Sequence, residues 1–221
     1  MFDKRITLFA GHYGSGKTNI AVNYVKELRA RRDKVLLADL DIVNPYYRAK
    51  DSAKELEQAD IRVISSFFAN SNVDLPALPQ EIYAITDDRR WACVLDVGGD
   101  DRGALALGRL VPAILEEGDY DMLLVVNRFR PLTRDAQSVL EVVEEIQAAC
   151  RLPFTGIVNN SNLGAETTAE DVLGSMDYAR EVAGLCALPV VMTSVEERLL
   201  PALEGRVPDL FPMKLQKRPT E

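Results

Sequence analysis

The chain has 221 residues, of which 47% are hydrophobic and 27% charged, a composition that excludes a disordered polymer and suffices to bury one sizeable α/β core. Its 34 acidic and 26 basic side chains leave a formal net charge of -8, which opposes DNA and anionic lipid over the molecule as a whole. The single histidine, His12, and three scattered cysteines, Cys93, Cys150 and Cys186, weigh against multi-histidine metal sites, Ser-His-Asp catalysis and a disulfide framework.

From Met1 the chain passes through Lys4 and Arg5 into a short apolar segment, without the apolar stretch and cleavage site of a signal peptide. No apolar run approaches the roughly 20 residues that span a bilayer, so the expectation is a cytoplasmic protein. Apolar runs at 6–10, 35–38, 61–64, 93–97, 122–126, 154–158 and 190–192 predict strands. Several are continuous rather than alternating, as in strands buried on both faces of a parallel sheet. Helical spacing at 17–32, 104–117, 134–149 and 169–186 predicts helices, the third with Val139, Val142, Val143 and Ile146 as its sheet-facing stripe. The alternation predicts an α/β fold with a doubly wound, mostly parallel sheet and helices on both faces. One domain covers 1–221, with a core at about 5–203 and a tail at 204–221. Residues 65–79 read as a loop, either a flap or a plain connection. The tail around 210–218 mixes apolar and basic residues as a membrane-targeting helix would, but Pro212 and its shortness count against that.

Between the first strand and first helix, Gly11-His12-Tyr13-Gly14-Ser15-Gly16-Lys17-Thr18 fits G-x-x-x-x-G-K-[ST] at every required position. Glycines let the backbone curl so that successive N–H groups point at phosphate oxygens, with the positive end of the helix behind them. Lys17 is expected to reach the β- and γ-phosphates, and the Thr18 hydroxyl to bind Mg²⁺. At the end of the second strand, Asp39 and Asp41 fall on one side by alternation. Asp39 is suited to the metal side and Asp41 to orienting the attacking water. The run 93–99 is an apolar strand ending in Asp96 and followed by Gly98 and Gly99, the Walker B form. Asp96 is expected to hold the metal through water, and the Gly99 N–H to sense a γ-phosphate. A late strand ends at Asn159, where related folds read the base, and Asn162 stands where GTPases place an aspartate. An amide matches the two donors of the guanine edge poorly, so ATP is expected over GTP.

These four pieces, with Ile42-Val43-Asn44-Pro45 after Asp41, resemble the MinD/ParA-like branch of P-loop NTPases in order and spacing from Arg5 to about Leu203. The resemblance implies an Mg²⁺-dependent ATPase with Lys17 and Asp41 in catalysis. It places Thr18, Asp39 and Asp96 at the metal, and residues 11–18, Gly99 and Asn159 around the nucleotide. It also implies a homodimer, since many members reach across one with a second lysine near the loop's start. Here His12 stands in that place, with Tyr13 beside it, and Arg48 and Arg102 are the substitutes nearest the expected switches. The expected role is a switch driven by ATP hydrolysis and read by a protein partner that the sequence does not name. The alternatives are an ATP-dependent metabolic ligase or kinase of the same fold, with residues 65–79 or Tyr46-Tyr47-Arg48 holding a small substrate, or a nucleotide-dependent membrane or DNA module.

Overall fold

The computed structural model describes residues 3–40, 52–65, 80–98 and 107–216. In chain order it runs β1 (Ile6–Ala10), α1 (Lys17–Arg29), β2 (Val35–Leu40), α2 (Ala53–Gln58) and β3 (Ile61–Ser65). Then come a 3₁₀ turn (Gln80–Tyr83), α3 (Ala84–Asp87), β4 (Ala92–Val97), α4 (Val111–Glu117), β5 (Tyr120–Val126) and α5 (Ala136–Cys150). The last part is β6 (Gly156–Asn159), α6 (Ala169–Gly174), α7 (Met176–Cys186), β7 (Val190–Glu196), α8 (Leu200–Leu203) and β8 (Leu210–Met213).

The strands form one sheet in the order β3-β2-β4-β1-β5-β6-β7-β8, with every pairing parallel. The central strands β1, β2 and β4 are buried at every position, the physical counterpart of their continuous apolar runs. One face packs under α4, α5 and α7 through Val111, Ile114, Val139, Val142, Val143, Ile146 and Val182. The other packs under α1 through Ile20, Ala21, Tyr24, Val25 and Leu28, joined by Phe211 and Met213 of β8. The sheet-facing stripe of α5 is therefore the one its spacing predicts.

Three departures from the sequence expectation have physical causes. The helix expected over 169–186 is broken at Ser175, whose hydroxyl donates back to the Val172 carbonyl at 2.7 Å. The helix expected over 104–117 is described from Val111, with Pro112 in its first turn, and residues 104–106 lie outside the described ones. The tail is no amphipathic helix over 210–213, where it forms β8 and buries Phe211 and Met213. Pro212 is tolerated because β8 is the edge strand, where a missing N–H leaves no ladder bond unmade. Among the described residues, no helix is long and apolar enough to cross a membrane.

At the opposite end of the sheet from the 11–18 turn, Arg5 leads into β1 and is 9% exposed. Its guanidinium pairs with Glu117 at the end of α4 and donates to the carbonyls of Ile85 and Trp91, both at 2.9 Å. The hydrogen bond from Arg5 holds the Glu117 carboxyl below the usual carboxylate range, against the effect of its burial. Burial pushes the neighbouring Cys93 thiol up to about 12. Cys93 and Cys150 are buried free thiols, as expected, while Cys186 is half-buried.

Candidate functional site

The cradle is set by what surrounds its glycines. Gly11 has φ 146°, and a Cβ there would sit 2.5 Å from the Val125 carbonyl oxygen of β5. Gly16 has φ 94°, and a Cβ there would sit 2.2 Å from Asn160 Nδ2. Both ends of the turn thus need a residue with no side chain, for backbone angle and for space. Between them the Ser15 N–H donates to the His12 carbonyl at 3.2 Å and closes the loop. Lys17 Nζ donates to the same carbonyl at 3.3 Å, and Lys17 and Thr18 are only 4% and 6% exposed. His12 Nδ1 lies 3.1 Å from the Tyr13 carbonyl, while Tyr13 itself is exposed.

Two features fit this cradle to an anion. The Ser15 hydroxyl is buried with no hydrogen-bond partner among the described residues. Moreover, α1 begins on left-handed Gly16 with no side-chain cap and no acidic residue in its first turn. Its unsatisfied N–H groups and positive end therefore face the turn unanswered by a side chain. By contrast, α5 is capped by Asp135 and α6 by a Thr168–Asp171 capping box.

Asp39 and Asp96 are register partners across the β2–β4 pair, level with Phe9 near the end of β1. Both are buried, at 4% and 0% exposure. By alternation they share a face with Val35, Leu37, Ala92 and Val94, which pack against α1. The structure therefore brings Thr18, Asp39 and Asp96 to one side of the sheet at its carboxyl edge, a donor set of one hydroxyl and two carboxylates that suits a hard cation such as Mg²⁺. Asp41 and Gly99 lie outside the described residues, as do Arg48, Arg102 and residues 66–79.

The late-strand asparagines divide by parity. Asn159, like Ile157, points to the face covered by α5 and α7, where Ile157 packs. Its Nδ2 donates to Ser175 Oγ at 2.9 Å, and its Oδ1 accepts from Ser161 Oγ at 2.7 Å, so the side chain pins the strand end to the α6–α7 junction. Asn160 points the other way and is 1% exposed. Its Nδ2 donates to the Ser15 carbonyl at 2.6 Å, and its Oδ1 accepts from Ser194 Oγ at 2.6 Å and Asn162 Nδ2 at 3.0 Å. Asn160, one residue past the expected Asn159, is thus the asparagine that touches the cradle. The signal was present, since a strand of alternating faces that ends in two asparagines must send them to opposite sides. Asn162, by contrast, lines a small cleft with Thr167, Ser194, Val195, Met213 and Leu215.

The tail contributes as well. After β8 it runs along α1, where the Asn23 side chain donates to Lys214 O at 3.0 Å and accepts from Lys214 N at 2.9 Å. Asn19, one residue past Thr18, accepts from the Gln216 N–H at 2.9 Å and donates to Met213 Sδ at 3.1 Å. Asn19 and Asn23 lie one turn apart on one helix face, so they act as a substitute strand edge for the tail. Residues 213–216 also bound the small cleft through Met213 and Leu215.

A glycine-gated turn, a buried lysine and threonine at an uncapped helix start, and two buried carboxylates on the same side define a P-loop nucleotide-binding protein. The chain belongs to the CobQ/CobB/MinD/ParA nucleotide-binding domain family, whose profile matches residues 6–190. No curated protein sequence matches it. Among solved structures it is similar to the signal recognition particle receptor FtsY from Elizabethkingia anophelis, at TM-score 0.51 and 16% identity, over 88% of this chain and 59% of that one. Cell division protein FtsY from Thermotoga maritima aligns at TM-score 0.54 and 19% identity, over 87% and 62%. The Signal Recognition Particle 54 kDa protein from Aeropyrum pernix K1, solved in complex with GDP, aligns at TM-score 0.51 and 16% identity, over 85% and 40%. At such identities the likeness is one of fold, and the chain spans less than two thirds of each of these proteins.

Proposed function

We propose that this chain is an Mg²⁺-dependent ATPase that uses hydrolysis as a conformational switch for a protein partner. The observation that carries the reading is the cradle itself: the Lys17 ammonium is buried at the start of an uncapped helix, beside a Ser15 hydroxyl that has no partner among the described residues. An ammonium with three donors and one carbonyl contact at 3.3 Å has capacity left for phosphate oxygens. Thr18, Asp39 and Asp96 would hold Mg²⁺, which when bound supplies charge neutralisation on the phosphates. Asp41, two residues past Asp39, would orient the attacking water, and Gly99 would sense the γ-phosphate through its N–H. The base would rest near Asn162, at the end of the strand that Asn159 anchors.

Adenine is preferred in this reading because Asn162 offers an amide where guanine needs a carboxylate for its two donors. The partner that reads the switch, and a homodimer as its working form, belong to the same proposal. Calorimetry with Mg-ATP and Mg-GTP tests it. The parent protein is expected to bind ATP at least about tenfold more tightly than GTP, a gap of about 1.4 kcal/mol. Lys17→Ala is expected to abolish binding while keeping the unfolding transition, since its ammonium faces the cradle and not the core. ATP affinity unchanged in a folded Lys17→Ala protein would sink the reading.

A further inference from the structure

The loop that leaves β5 carries three arginines within seven residues, and the structure treats them differently. Arg128 donates to the Gly174 carbonyl and lies 5.7 Å from the Phe129 ring centroid. Arg134 pairs with Asp135 at 3.3 Å. Arg130 has no carboxylate within ion-pair distance among the described residues, and its side chain lies on the cradle instead. A methyl built on Gly14 would sit 3.8 Å from Arg130 Nε and 3.9 Å from its Cδ.

The backbone that presents Arg130 is held firmly. Its N–H donates to the Asn127 carbonyl at 3.0 Å, and its own carbonyl accepts from the Thr133 N–H at 3.1 Å. The Thr133 hydroxyl bonds the same Asn127 carbonyl at 2.7 Å. The Asn127 side chain in turn holds Phe129 N at 3.0 Å and Asn162 O at 3.2 Å, tying this loop to the one that follows β6. A side chain projected from a pinned turn loses less freedom on meeting a ligand than one on a loose loop. A guanidinium with five donors and no carboxylate partner among the described residues is matched to phosphate oxygens, which it can hold by two bonds at once. Opposite it, His12 turns its ring nitrogen back onto the loop's own Tyr13 carbonyl, so the ring stays on the loop.

We propose that Arg130 is a phosphate-contacting catalytic residue acting within its own chain: it closes over the cradle at Gly14 and binds the terminal phosphate of the bound nucleoside triphosphate. The inference rests on the nucleotide reading above, and its test separates the two. Calorimetry on the full chain with Mg-ADP and with the Mg complex of a β,γ-imido ATP analogue is run for the parent, Arg130→Ala and Arg130→Lys. Arg130→Ala is expected to weaken the triphosphate analogue about tenfold, the scale of one charge-assisted hydrogen bond. ADP is expected to change less than about twofold, and Arg130→Lys to recover part of the loss because it restores charge without the fork. Single-turnover ATP hydrolysis by Arg130→Ala is expected to be slower, and mixing with Lys17→Ala chains, which keep Arg130, should not restore it. Equal weakening of ADP and the analogue, or none, overturns the inference while leaving the nucleotide reading standing. Restored turnover on mixing overturns the same-chain assignment. A parent protein that binds neither nucleotide overturns the ATP reading, and this inference with it.

Discussion

Asn160→Ala should damage the cradle from behind, and its effect can be worked from two hydrogen bonds. The substitution leaves the Ser15 carbonyl without its 2.6 Å donor and the Ser194 hydroxyl without its 2.6 Å acceptor, at a position 1% exposed. Each buried group left unpaired costs about 1–3 kcal/mol. Ser194 recovers part of its share, because its hydroxyl already lies 3.4 Å from the Asn159 carbonyl. The expected loss is therefore about 2–4 kcal/mol, a large fraction of the roughly 5–15 kcal/mol that holds a domain folded. Urea unfolding of parent and variant measures it as a shift in midpoint at constant slope. Because Ser15 belongs to the cradle, nucleotide affinity should fall by about tenfold as well, read by calorimetry. Asn159→Ala is the control: it severs the bonds to Ser175 and Ser161 and should cost comparable stability. Its side chain lies on the other face of the sheet, so nucleotide affinity should stay within about twofold. An Asn160→Ala protein within about 0.5 kcal/mol of the parent and unchanged in affinity would refute the reasoning, as would a larger affinity loss in Asn159→Ala.

Three further outcomes are expected. Gly16→Ala places a Cβ 2.2 Å from Asn160 Nδ2 at φ 94°, so it should cost at least about 2 kcal/mol and abolish nucleotide binding, checked by urea unfolding beside calorimetry. Glu117 has its pKa lowered by the hydrogen bond from Arg5, so its contribution is present above its ordinary range and lost as pH falls through its depressed folded value. Acid unfolding below about pH 4.5 should therefore be steeper in the parent than in Glu117→Gln, and that variant should be less stable at neutral pH because it leaves the Arg5 charge buried without its carboxylate. Asp41→Asn should keep ATP affinity and slow single-turnover hydrolysis about 10²-fold, and near-normal turnover would withdraw the water-positioning role.

Much of the fold was legible because parallel strands buried on both faces carry an unbroken apolar signal. The first strand, for example, was expected at 6–10 and occupies Ile6–Ala10. The cradle was legible for a related reason: its pattern is local, eight consecutive residues at 11–18. The Asn159–Asn160 choice was harder, since it turns on which residue of an apolar strand is the last to alternate. The β6–β7 pairing also shifts register between Ile157 and Val158, so counting faces from the neighbouring strand does not settle it. Nor does sequence spacing bring Asn160 and Arg130 to the turn at 11–18. They arrive there only because β1, β5 and β6 are consecutive in the sheet.

The tail was least legible, because the residues that explain it are far away in sequence. Leu210-Phe211-Pro212-Met213 reads as a broken amphipathic segment until Asn19 and Asn23 are set beside it, nearly two hundred positions earlier. Those amides accept the N–H groups of Gln216 and Lys214 and occupy the side of α1 that begins one residue beyond Thr18. The Gln216 side chain then donates to Ser52 Oγ at 3.0 Å, at the start of the helix that follows the Asp41 segment. The last described residues are therefore bonded both to the helix that frames the cradle and to the element that follows Asp41. Any displacement of α1 that stretches one of the paired Asn19 and Asn23 bonds loads the other too, because both lie on one face of the helix, one turn apart.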